Sequence, residues 1–313
     1  MAKLLAGIAS SHSPLMEHSA ASDTGQEQRY RTALSKGKEI IASKNVDAIV
    51  IVAPDHYRTF FYRNMPSVCV GTGTCEGWGD WGFPKTALKV ERDLASSIID
   101  AAFALGLTPS YSTELPIDHG ALHALVYLDP AEGIPVVPIL INCFAVPLAP
   151  PLLSYRMGEA IRNGVQNWKG GRVAVIGSGG LSHWPPIPKV DSSDPRDAAM
   201  VQVMLHGRDA KMIESDERRR IEAAVAATRA DLAQIKINPE WDHKILRLIA
   251  DGRGSEIAAW KTEEIEKEGG NGGQEIRTWL AVLGAFSGMK GRILCYEPIK
   301  EWITGMGTIA IEP

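Results

Sequence analysis

Short, wholly apolar runs alternate with longer stretches of helical period through the first half of the chain. LLAGIAS (4–10), DAIVIVAP (47–54), IPVVPILIN (134–142) and RVAVIGS (172–178) lack the polar alternation of a half-solvated strand. They read as strands buried on both faces. Between them, residues 25–43, 85–106, 119–128 and 151–168 carry apolar positions at three- and four-residue spacing, the mark of helices packed on a sheet. This order predicts an α/β fold: a single large domain over residues 1–313, with a central, mostly parallel mixed sheet flanked by helices. A more helical and charged segment follows near 190–290. Within it ESDERRRIEAAVAATRADLAQ (214–234) reads as a solvated helical face. A last helix from about 273 and a strand pair near 292–297 and 306–311 close the chain.

Composition narrows the partners. The chain has 313 residues, 33 Lys and Arg against 37 Asp and Glu, and a net charge of −4. No global positive field attracts nucleic acid or an anionic membrane, which predicts a small-molecule partner. The start, MAKLLAGIASSH, is too short in its apolar run for a signal core, and no stretch reaches the roughly 18 apolar residues of a membrane span. Cys69, Cys75, Cys143 and Cys295 have no CxxC spacing and read as free thiols of a cytoplasmic protein.

Histidine placement carries the chemistry. His12 follows the first strand, His56 the second, and His183 a later one in GSGGLSHWPP (177–186). Carboxyl ends of buried strands are where open α/β sheets bind ligands. Each histidine alone fits an ordinary loop position; three together suggest imidazoles held on a rigid frame. A charged ligand is offered by NGGQEIRTWLAVLGAF (271–286), where Glu275 borders the apolar stripe of Ile276, Trp279, Leu280 and Leu283. A carboxylate aimed at apolar surroundings needs a cation or strong donors. A place in the first helical turn, favoured by the helix dipole, explains Glu275 equally well. His12, His56 and Glu275 would form a two-histidine, one-carboxylate face suited to Fe(II), although zinc accepts the same donors. His119 and His123 in HGALH have the spacing of a helical metal pair but lack the glutamate of HExxH proteases. GSGG after a strand is not GxGxxG, so a nucleotide cradle is a weak alternative; its glycines are expected to let the backbone turn tightly and approach the site.

Seven blocks, SHSPL (11–15), APDHYRTFFYRNMPSVCVGTG (53–73), DHG (118–120), GSGGLSHWPPIP (177–188), NPEWD (238–242), EIRTW (275–279) and PIKEWITGMG (298–307), resemble in order and spacing the class III extradiol ring-cleavage dioxygenases. The resemblance implies Fe(II)-dependent opening of a substituted catechol beside its two hydroxyls by dioxygen, giving a hydroxymuconate-type product. It implies His12, His56 and Glu275 as metal ligands, His119 and His183 as acid/base residues with His183 the base, and a homo-oligomer. Trp184 and the continuation after SHSPL depart from the family pattern. Trp184, with Asp118 and Tyr57, is therefore a candidate substrate contact. The ring substituent stays open, with a biaryl or lignin-derived catechol, an aminophenol or a hydroxypyridone as alternatives. A zinc hydrolase and a non-enzymatic binding protein on the same fold are the readings from other classes.

Overall fold

The computed structural model describes residues 2–131, 133–207 and 210–313. One mixed sheet of nine strands organises them: β1 (Lys3–Ser10), β2 (Ala48–Pro54), β3 (Val68–Gly77), β4 (Ala87–Leu88), β5 (Ser110–Ile117), β6 (Val136–Ile141), β7 (Arg172–Ser178), β8 (Arg292–Ile299) and β9 (Thr304–Ile311). The order is β4-β3-β6-β2-β7-β1-β9-β8, with β5 paired to β3. The central strands β6, β2, β7 and β1 are mutually parallel. Antiparallel pairs flank them, β9 beside β1 and β3 beside β6. All four expected apolar runs are strands, and the central ones are buried along almost their whole length. Covering both faces is what such runs require.

Among the described residues ten α-helices surround the sheet: α1 (Thr24–Ser43), α2 (Arg92–Ala104), α3 (His119–Leu128), α4 (Pro151–Asn167), α5 (Ala198–His206), α6 (Ala210–Ala230), α7 (Pro239–Ala250), α8 (Ser255–Ala258), α9 (Thr262–Gly269) and α10 (Ile276–Ala285). Among the described residues two large apolar cores result, with a smaller cluster around Tyr57, Ala145 and Met204. One holds α2, α4, α7 and α10, around Leu94, Ile161, Ile245 and Trp279. The other holds α1 and α3, around Tyr30, Leu34, Leu122 and Trp302. Burying each large aliphatic side chain contributes about 1.5–3 kcal/mol, so the sheet and its two layers form a stiff platform. No described helix is long and apolar enough to cross a membrane. All four cysteines are free thiols.

Two readings of the sequence are corrected, and two strands appear for which the sequence offered no reading. The helix expected over 85–106 begins only at Arg92, because Ala87 and Leu88 pair with β3. VCVGTGTCEG and SYSTELPI are strands β3 and β5, although glycine, threonine and serine interrupt their apolar pattern. The 214–234 stretch is not solvated all round. From Glu217 onward its half-buried positions recur every three or four residues, and Arg220, Ala224, Ala227 and Thr228 face a cavity.

Candidate active site

Because β2, β7 and β1 lie side by side and parallel, their carboxyl ends share one edge. His12 lies two residues past β1, His56 two past β2 and His183 five past β7. They meet Glu275, the residue that leads into α10. His56 Nε2 is 3.1 Å from Glu275 Oε1, His12 Nε2 3.9 Å and His183 Nε2 4.0 Å. His119, the first residue of α3, stacks on His56 with ring centroids 4.2 Å apart. A nitrogen from each of His12, His56 and His119 lies within 4.8 Å of the others.

Each ring is held from behind through Nδ1. His183 Nδ1 meets the carbonyl of Leu181 at 3.0 Å, an acceptor only, so Nδ1 carries the proton. His56 Nδ1 donates to Asp118 Oδ2 at 3.0 Å and His119 Nδ1 to Asp80 Oδ2 at 2.7 Å. His12 Nδ1 lies 3.1 Å from Ser178 Oγ, whose own proton goes to the Gly120 carbonyl. Partners of this kind fix tautomer and orientation, which leaves Nε2 of each ring as the atom available for chemistry.

Local sequence explains the clamps. Asp118 caps α3 by accepting the Gly120 N–H at 2.8 Å, and its other oxygen accepts the His56 N–H at 2.7 Å. One carboxylate thus starts a helix and fixes a histidine. The His183 loop is pinned by Ser182, whose N–H and hydroxyl both donate to Asp242 at 2.8 Å. The loop glycines do not adopt left-handed backbone. Gly180 allows close approach instead: a Cβ there would lie 2.5 Å from His183 Cε1.

Electrostatics single out Glu275. It is 1% exposed, and its Oε2 accepts the Gly180 N–H while Oε1 faces the imidazoles. Burial alone would favour a neutral carboxyl, but His12, His56 and His183 outweigh it and hold the group below the usual carboxylate range. Burial would likewise keep His56 neutral, yet Asp118 and Glu275 on either side lift it to about 10. Burial, with neighbouring His56 and His119, lowers His12 to about 3 despite the attraction of Glu275. A positive charge between His56 and Glu275 is therefore favoured, and the donor set of imidazoles and one buried carboxylate fits a divalent cation.

These groups open onto a cavity of about 320 Å³ with walls that include Leu15, Tyr57, Arg58, Trp81, Phe144, Ile187 and Met200. Tyr57 is a wall residue, with a left-handed φ of 54° and its ring stacked on Tyr62. Asp118 lies behind His56 and Trp184 against Gly270, so neither is among the wall residues. Asp80, Arg58 and Ser178 were not found from sequence. Asp80 sits in GWGDWG, where no strand end or helical period marks it, and Arg58 donates to it at 3.1 Å.

Residues 6–307 match the family described as the catalytic LigB subunit of aromatic ring-opening dioxygenase. A Photorhabdus laumondii protein named 2,3-dihydroxyphenylpropionate/2,3-dihydroxicinnamic acid 1,2-dioxygenase is 33% identical over 312 residues, covering 98% of this chain and 96% of the relative. The protein of that name from Rhodococcus jostii is 34% identical over 305 residues, covering 95% of each. A crystal structure of an uncharacterized Escherichia coli K12 protein shares the fold, with a TM-score of 0.52 and 16% identity over 98% of this chain and 99% of that one.

Proposed function

Since the chain belongs to the LigB family of aromatic ring-opening dioxygenases, we propose that it opens a substituted catechol beside its two hydroxyls, using Fe(II) held by His12, His56 and Glu275. The observation that carries this reading is the gathering of three imidazole Nε2 atoms within 3.1–4.0 Å of a single buried carboxylate oxygen. Bound Fe(II) would supply adjacent positions for catechol and dioxygen and a path for electrons between them. His119 stays outside the ligand set in this reading because Glu275, the anion of the cluster, offsets a cation's charge better than a third neutral ring.

The protein's own groups handle protons and water. His183 accepts a proton from a catechol hydroxyl at Nε2, since Leu181 holds the proton on Nδ1. His119 serves the later proton transfer, also through Nε2, because Nδ1 is engaged by Asp80. Leu15, Phe144, Ile187 and Met200 exclude water from the ring. Both oxygen atoms of dioxygen end in the product as the ring carbon–carbon bond next to the diol breaks.

The curated relatives are named for catechols that bear a three-carbon acid side chain, and a substituted catechol is the substrate class assigned here. Protein loaded with Fe(II) without air and given a panel of 3- and 4-substituted catechols is expected to consume dioxygen and form a yellow product. No colour and no oxygen uptake with any of them would overturn the reading.

A further inference from the structure

The cavity onto which His12, His56 and Glu275 open is also walled by α6, through Arg220, Ala224, Ala227 and Thr228. Arg220, Ala224 and Thr228 follow one another by four and Ala227 follows Ala224 by three, so they share one helical face, which places one cation beside three small side chains. Arg220 has unused donors. Among the described residues its nearest acid is Glu217, with Nη1 3.6 Å from Oε2, beyond hydrogen-bond length. Glu217 is shared: its Oε1 accepts the Trp81 N–H at 3.1 Å and lies 3.6 Å from Arg58 Nη2, while Oε2, the oxygen toward Arg220, has no hydrogen-bond partner among the described residues. Arg58 differs from Arg220, because it is 7% exposed and bonded to Asp80.

Two guanidiniums therefore face the same cavity; Arg58 hydrogen-bonds a carboxylate, whereas Arg220 has only a longer ion pair, 3.6 Å, to Glu217, which Arg58 shares. Burial and the neighbouring Arg58 both disfavour the charge on Arg220, while Asp80 partly supports it. An anion on the bound molecule would complete the arrangement, and the planar guanidinium fork matches a carboxylate.

We propose that Arg220 reads a carboxylate on the catechol's ring substituent, making α6 the element that selects acidic catechols over neutral ones. This inference rests on reading the cavity as the ring-cleavage site.

The test compares 3-(2,3-dihydroxyphenyl)propionate with 3-propylcatechol, which has a side chain of similar length and no charge. Calorimetric affinity on iron-free protein and kcat/KM on the iron-loaded enzyme are measured for wild type, Arg220→Gln, Arg220→Lys and Arg218→Gln. Arg218 is the control: it lies on the same helix, 92% exposed and paired with Glu222. Wild type is expected to favour the acid in both readouts by about 10- to 100-fold, the contribution of a charge-assisted hydrogen bond. Arg220→Gln is expected to collapse that ratio, Arg220→Lys to keep part of it, and Arg218→Gln to leave it in place. An unchanged ratio in Arg220→Gln, or no preference for the acid in wild type, overturns the inference. Binding that favours the acid and depends on Arg220, without cleavage of either ring, leaves this site standing and overturns the ring-cleavage reading.

Discussion

Asp80 grips His119 at two points: Oδ2 accepts Nδ1–H at 2.7 Å and Oδ1 accepts the backbone N–H at 2.9 Å. Burial opposes a charge on Asp80, but His119 and Arg58 outweigh it and hold the carboxyl below its usual range. The ring can therefore neither swing nor exchange tautomers freely. Asp80→Asn is expected to lower kcat by about 10²-fold, the low end of what a positioned acid or base contributes, with little change in KM. Steady-state kinetics with one catechol check this, and an unchanged kcat would remove Asp80 from the account.

Gly272 lies against the His183 ring, where a Cβ would be 2.2 Å from Nε2 and 2.3 Å from Cδ2. Gly272→Ala must displace the ring or the backbone, at a cost of about 1–3 kcal/mol in stability. Its ring-cleavage rate is expected to fall toward that of His183→Gln, while both variants keep bound iron. Metal analysis and stopped-flow absorbance of the same preparations test the pair.

Asp242 ties the His183 loop to α7 and to Tyr296, whose hydroxyl donates to it at 2.6 Å. Burial raises its carboxyl to about 6, against the hydrogen bonds from Tyr296 and Ser182. A folded-state value above the unfolded one means that the folded chain binds the proton more tightly. This contribution to stability is whole below about pH 4 and is lost as pH rises through about 6, roughly 3 kcal/mol in all. Asp242→Asn lacks the titration, so its unfolding free energy minus that of wild type should climb between about pH 4 and 6 and then level off. Urea unfolding across that range measures the difference, and parallel pH curves for the two proteins would contradict it.

The central strands and the histidine edge were legible because they rest on local pattern. A wholly apolar run such as AIVIVAP can only be buried, and a parallel sheet sends such runs to a common edge. β3 and β5 were not legible, since VCVGTGTCEG owes its strand to neighbours in the sheet and not to its own apolar period. Glu275 was visible as a misfit on an apolar stripe. Asp80 and Arg58 left no such sign, because their burial is compensated by each other and by His119, contacts between residues far apart in sequence. The α6 face was hidden for the opposite reason: Arg220 is one of three consecutive arginines, and only packing shows which of them turns inward.

The central claim is that ring opening occurs at a metal held by His12, His56 and Glu275. Its most direct test is the rate of yellow-product formation against Fe(II) bound per chain, measured for wild type and Glu275→Gln by reloading stripped protein anaerobically to graded iron contents and then mixing each sample with catechol and dioxygen. Wild type is predicted to start from no activity and rise in proportion to iron, reaching a plateau at about one iron per chain. Glu275→Gln is predicted to need about 10- to 100-fold more free Fe(II) to bind it and to remain far below the wild-type rate. Turnover by stripped wild type, or a Glu275→Gln variant that matches wild type in both iron and rate, would contradict the account.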